Sequence, residues 1–179
     1  MDIFCEQIVK KKKSTFEKLT VLLIWVAGWF VCMGLVFLGL TFASGRFFMP
    51  MLLLAGGVVF GVFKLSSRLN LEFEYSVTNG VLDIDKIINR SDRKRMISVE
   101  IKSFDRFEVY DDEKMLAEKD KFDLTVAAVA DPQGEDEIYV AVFRHPVKGR
   151  VRVVFQPGKK VLDTVTNALP RNLQPRRFG

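Results

Sequence analysis

The chain has 179 residues, a formal net charge of +5, two cysteines and one histidine. The positive excess is confined to one end, because residues 1–70 hold eight Lys/Arg against three Asp/Glu whereas residues 71–179 hold nineteen of each. A balanced C-terminal part excludes the basic stripe that nucleic-acid binding needs, and Cys5 and Cys32 offer neither a disulfide framework nor metal-ligand spacing.

From Leu19 to Ala43 no side chain is charged, and Phe47 to Phe63 repeats the pattern after Ser44, Gly45 and Arg46. As helices these runs span about 37 Å and about 25 Å, against about 30 Å of hydrocarbon. They predict a transmembrane hairpin over 19–65, with spans 19–43 and 47–65. The apolar stretch is too long for a signal peptide and is followed at once by a second. Pro50 falls in the first turn of the second span, where its missing N–H costs little. Gly57 and Gly61 form a small-xxx-small pair and are expected to pack the second span against the first. Trp25 and Trp29 read as lipid-facing or packing residues.

Orientation follows from the flanks. Lys10, Lys11, Lys12, Lys13 and Lys18 precede the first span, Lys64 and Arg68 follow the second, and the connecting turn has Arg46 alone. Positive residues favour the cytoplasmic side, so the expectation is a multi-pass plasma-membrane protein with both termini cytoplasmic. On this reading residues 1–18 are a basic cytoplasmic segment and the bilayer itself is a partner.

Beyond Ser66 and Ser67 the period becomes two. Leu71, Phe73, Tyr75 and Val77 alternate with Glu72, Glu74, Ser76 and Thr78, a half-buried strand. Asn79-Gly80 supplies a type I′ turn, which sets Thr78 opposite Val81, Tyr75 opposite Ile84 and Leu71 opposite Ile88, with Lys86 opposite Phe73 as the one misfit. Asn89 to Lys94 reads as a polar break, and further strands are expected around Ile97–Ile101, Phe104–Val109, Phe122–Ala130, Ile138–Val142 and Val151–Phe155. Asp111 to Lys121 reads as a charged loop with room for a helical turn. Val161, Leu162, Val165, Ala168 and Leu169 predict an amphipathic helix that stops at Pro170, and residues 171–179 form a basic tail.

Seven short antiparallel strands closed by one helix is the order of a pleckstrin-homology-type (PH-like) split barrel. The run Tyr75-Ser76-Val77-Thr78-Asn79-Gly80-Val81-Leu82-Asp83-Ile84, with Arg95-Met96-Ile97-Ser98-Val99-Glu100-Ile101 after it, resembles the opening hairpin and third strand of bacterial PH-like domains. The layout also resembles a clostridial-type family of small two-span proteins. The resemblance implies a cytoplasmic PH-like domain over 71–170, tethered to the membrane as a binding or scaffolding module. The chain departs from lipid-binding PH domains in two places. Its Asn79-Gly80 loop is too short to cradle a headgroup, and its closing helix lacks tryptophan.

No residue set for catalysis, cofactor binding or metal binding is expected, and no small-molecule substrate. His145 stands alone in a turn, the tracts Asp111–Glu113 and Glu135–Glu137 lack the rhythm of a calcium loop, and Gly56-Gly57 lies in a span rather than in a phosphate loop. The leading expectation is a protein-interaction module that uses sheet edges or grooves, with a protein partner. One alternative is anionic-lipid sensing by the cluster Arg90, Arg93, Lys94 and Arg95 in the loop after the second strand. The other is a small subunit of a membrane complex that meets its partners through its spans.

Overall fold

The computed structural model describes residues 4–41, 48–118, 121–134 and 136–174. The chain divides into two compact units, one of Met1–Lys12 with Leu71–Gly179 and one of Lys13–Asn70.

The second unit is a helical hairpin. Helix α1 (Thr15–Thr41) begins earlier than the apolar run, because Ser14 and Glu17 form part of a capping box: the Ser14 backbone N–H donates to Glu17 Oε2 at 3.1 Å. Helix α2 covers Phe48–Ser67 and has Pro50 in its first turn. At about 1.5 Å per residue they extend about 40 Å and about 30 Å, and both are long and apolar enough to cross a membrane. The Ser44–Arg46 turn lies outside the described residues. The helices approach through glycines of α1, not of α2. A Cβ on Gly28 would stand 2.5 Å from Val62 Cγ2, and one on Gly39 would stand 3.2 Å from Met51 Cβ. Gly57 and Gly61 meet nothing within 4 Å. The expectation that this pair packs span two on span one is therefore corrected. The contact face of α2 is instead the row Met51, Ala55, Val58 and Val62, while both glycines are exposed.

Among the described residues the other unit holds eight strands: β1 (Phe4–Lys10), β2 (Leu71–Thr78), β3 (Val81–Ile88), β4 (Asp92–Glu100), β5 (Phe104–Val109), β6 (Leu124–Ala128), β7 (Tyr139–His145) and β8 (Gly149–Phe155). A short helix α3 (Asp112–Ala117) precedes β6, and α4 (Lys159–Ala168) closes the unit. They make two four-stranded sheets ordered β1-β2-β3-β4 and β5-β7-β8-β6. The β2–β3 hairpin has the register that Asn79-Gly80 dictates, with φ of +50° and +83° at the two turn residues and Lys86 opposite Phe73.

Two features depart from seven antiparallel strands. Residues 4–10 are an antiparallel edge strand of the first sheet, Cys5 opposite Val77 and Lys10 opposite Glu72, rather than part of a separate basic segment. Strand β6 runs parallel to β8, because the 129–138 connection carries the chain past β8 to β7. The two sheet edges meet where the Lys12 N–H donates to Ala130 C=O at 2.8 Å.

Alternation puts Tyr75, Val77, Leu82, Ile84 and Ile97 of the first sheet into one core with Phe143, Val151, Val153 and Phe155 of the second, sealed by Val161, Val165 and Leu169 around α4. Tyr75 is the polar bolt in this core. Its hydroxyl donates to Ala128 C=O on β6 and accepts from the Gln156 N–H, and burial holds it protonated well above the ordinary tyrosine range. Gln156 is buried and fully used: its Nε2 donates to the carbonyls of Asp131 and Asp136 at 2.8 and 2.9 Å, and its Oε1 accepts from Asp131 N–H at 2.9 Å.

Candidate functional site

The cluster expected in a loop lies mostly in a strand. Only Arg90 is in the β3–β4 turn, whose Asn89 and Arg90 have φ of +52° and +57°; Arg93, Lys94 and Arg95 belong to β4. Register then brings acids to the arginines on the outer face of the first sheet. Arg93 Nη2 is 2.9 Å from Glu74 Oε2, Arg95 Nε is 3.1 Å from Asp85 Oδ1 and 3.7 Å separates its Nη1 from Asp83 Oδ1, and Arg90 Nε is 3.4 Å from Glu72 Oε1. Lys94 sits across from Lys86 on the other strand parity. The guanidiniums are thus one half of a charge ladder whose other half comes from β2 and β3.

Glu74 and Asp85 are the buried rungs. Burial raises the Glu74 carboxyl above the ordinary range, Arg93 opposes this, and Glu6 and Asp85 add to it. Arg95 is held more firmly protonated, first by its hydrogen bond to Asp85. A ladder of this kind presents few uncompensated cations to a lipid headgroup.

The membrane-flank cations are split between the units. Lys10, Lys11 and Lys12 end β1 and its extension, where Lys12 Nζ pairs with Asp131 Oδ2 at 3.0 Å and holds that carboxyl below its ordinary range. Lys13 starts the hairpin unit, Lys18 is in the first turns of α1, and Lys64 in the last turn of α2 lies 5.9 Å over the Phe60 ring. Arg68 follows the end of α2 and Arg46 is outside the described residues. His145 Nδ1 accepts from the N–H groups of Val147 and Lys148 at 3.1 and 3.2 Å, a turn-capping role. Asp111 likewise caps α3, accepting from Glu113 and Lys114 N–H.

The feature that patterning left unread is a groove. β5 is an edge strand of the second sheet, and a cavity of about 540 Å³ separates it from α4. Phe107, Val109, Tyr139, Leu162 and Leu173 give it apolar walls; Glu108 and Asp163 add charge. Tyr110 N–H donates to Ile138 C=O at 2.8 Å, so by alternation the Val109 N–H points away from β7, toward the open edge. Tyr139 keeps its proton up to about 12, chiefly through burial and then through its hydrogen bond to Glu137. An apolar channel beside a strand whose outward groups meet no partner strand among the described residues can take an extended peptide. Its sequence trace was limited to Leu162 and the exposed Val109, both legible only once β5 was known to be an edge.

A search of curated proteins and a search of solved structures each return no match. A family match, by contrast, runs over residues 1–174 and so takes in β1, the helical hairpin, both sheets and α4 together. With two sheets closed by a C-terminal helix beside two membrane-grade helices, the chain belongs to the bacterial PH-like domain family DUF6106.

Proposed function

We propose that this protein is a non-catalytic interaction module held at the plasma membrane by its hairpin, with both termini and the β unit in the cytoplasm. It binds an extended segment of a protein partner by strand addition along β5, side chains alternating into the groove against α4, and so acts as a scaffold at the bilayer. The observation that carries this reading is an edge strand with outward donors running beside an apolar groove of about 540 Å³. Lys13, Lys18, Lys64 and Arg68 support the orientation. Lipid sensing through Arg90–Arg95 draws less support, since Glu72, Glu74, Asp83 and Asp85 pair those guanidiniums.

Val109→Pro removes one outward N–H at an edge, where proline is tolerated. It is expected to weaken capture of the native partner about tenfold, with thermal unfolding unchanged, because one main-chain hydrogen bond plus the strand geometry around it is lost. Undiminished capture would refute the groove. Orientation is checked separately in a variant without native cysteines: Asp112→Cys should resist an impermeant thiol reagent on intact cells and Ser44→Cys should react.

A further inference from the structure

We propose that the outer face of the second sheet holds a binding site for a small amphiphilic anion. A carboxylate or phosphate head would meet Arg152, and an apolar body would lie along Met115, Ala127, Val129, Ile138 and Val154. This site shares no residue with the β5 groove and stands independently of the function proposed above.

Arg152 on β8 is only 7 % exposed, and it sits among Val140, Val142, Val154 and Met115, all buried. A guanidinium in such surroundings is costly unless charge and hydrogen bonding compensate it. Compensation is incomplete here. Nη1 donates to Met115 C=O and touches its Sδ, both at 3.3 Å, and the Phe122 ring lies 4.8 Å from Cζ. Nε has no acceptor, and among the described residues no carboxylate forms an ion pair with Arg152.

Beside it opens a cavity of about 410 Å³, within the range of small-molecule pockets. Its walls are mostly aliphatic, with the Tyr110 and Thr125 hydroxyls as the remaining uncharged polar groups. Asp112 also lines the cavity and is spent on the Tyr110 hydroxyl, whose proton it holds by a side-chain hydrogen bond, while Arg152 acts on the same Tyr110 from the buried side without forming an ion pair of its own among the described residues. A buried, half-satisfied guanidinium beside an apolar void fits a ligand with an anionic head and an oily body, and disfavours a bare inorganic ion.

The test uses the full chain in nanodiscs of zwitterionic lipid with isotope-labelled methionine methyl groups, titrated with naphthoate, naphthyl phosphate and neutral naphthamide. The expected result is a saturable shift of the Met115 methyl with at least one of the two anions, the tighter one identifying the head. Naphthamide should bind about tenfold more weakly, for want of a charge-assisted hydrogen bond. Ala127→Phe, which fills the cavity from its exposed side, should abolish the shift and leave the other methionine methyls in place. Arg152→Gln should remove the preference for anion over amide. No saturable shift with either anion, equal binding of naphthamide, or undiminished binding in Ala127→Phe would each overturn the proposal.

Discussion

Arg90 shows how much one backbone angle can weigh. At φ +57° its left-handed conformation costs a side-chain-bearing residue about 1–2 kcal/mol, while its ion pair with Glu72 is solvent-exposed and contributes little. Arg90→Gly is therefore expected to stabilise the β unit by about 1 kcal/mol, read as a higher midpoint in chemical denaturation; a lower midpoint would show that the pair outweighs the strain. A second residue-level expectation concerns pH. Glu118 accepts from Arg106 Nη1 at 3.3 Å and Nη2 at 2.6 Å, and this pairing is the main reason its carboxyl falls from 4.5 to about 2. A depressed folded value means the contribution is present above about 4.5 and is lost as pH falls toward about 2. A carboxyl NMR titration should show Glu118 as the late-titrating glutamate, and Arg106→Leu should return it to the ordinary range.

Among the elements, what was legible depended on how local the determinant is. Asn79-Gly80 sets a register over sixteen residues because turn and alternation agree, and the apolar runs announce two long helices by composition alone. The Asn89–Lys94 run has no apolar alternation, so it reads as a loop; its strand character lies in its pairing with β3, where acids of β2 and β3 face its arginines. The parallel partner of β6 is equally hidden, being set by Gln156 gathering the 131–136 connection from a distant position. The groove beside β5 could not be read for the same reason, since an edge is defined by which strands pair elsewhere. In the hairpin, spacing pointed to the right residue type on the wrong helix: Gly57 and Gly61 face outward, and close approach falls to Gly28 against Val62. The Cys32 thiol donates to Ala55 C=O at 3.6 Å, so Ala55→Cys should form an oxidative crosslink with Cys32. Adding Gly28→Leu should suppress that crosslink severalfold by forcing the helices apart, whereas adding Gly57→Leu should leave it intact.

For the whole molecule, β1 changes what counts as a domain. Its seven residues cover the edge of β2, bury Cys5, and let Gln7 Oε1 accept from Gly158 N–H at 2.8 Å ahead of α4. Four lysines next to the hairpin made this segment look like a topology signal, although Cys5, Gln7 and Val9 alternate as an inward face. Residues 71–179 alone should accordingly fail to fold. Residues 1–12 joined to residue 71 by a short glycine-serine turn should give a cooperative unit, because Lys11 N–H already donates to Leu71 C=O at 2.9 Å across that gap. Comparing the thermal melts of the two chains decides the point, and a cooperative melt from 71–179 would refute the role given to β1.

The pairing of Cys5 with Val77 also fixes an order of events during translation. The first strand leaves the ribosome some seventy residues before its mate, with two long apolar helices in between that the function proposed above sends to the bilayer. Strand β1 must wait, unpaired, until β2 has emerged, so under the membrane arrangement proposed above completion of the first sheet is coupled to insertion of the hairpin.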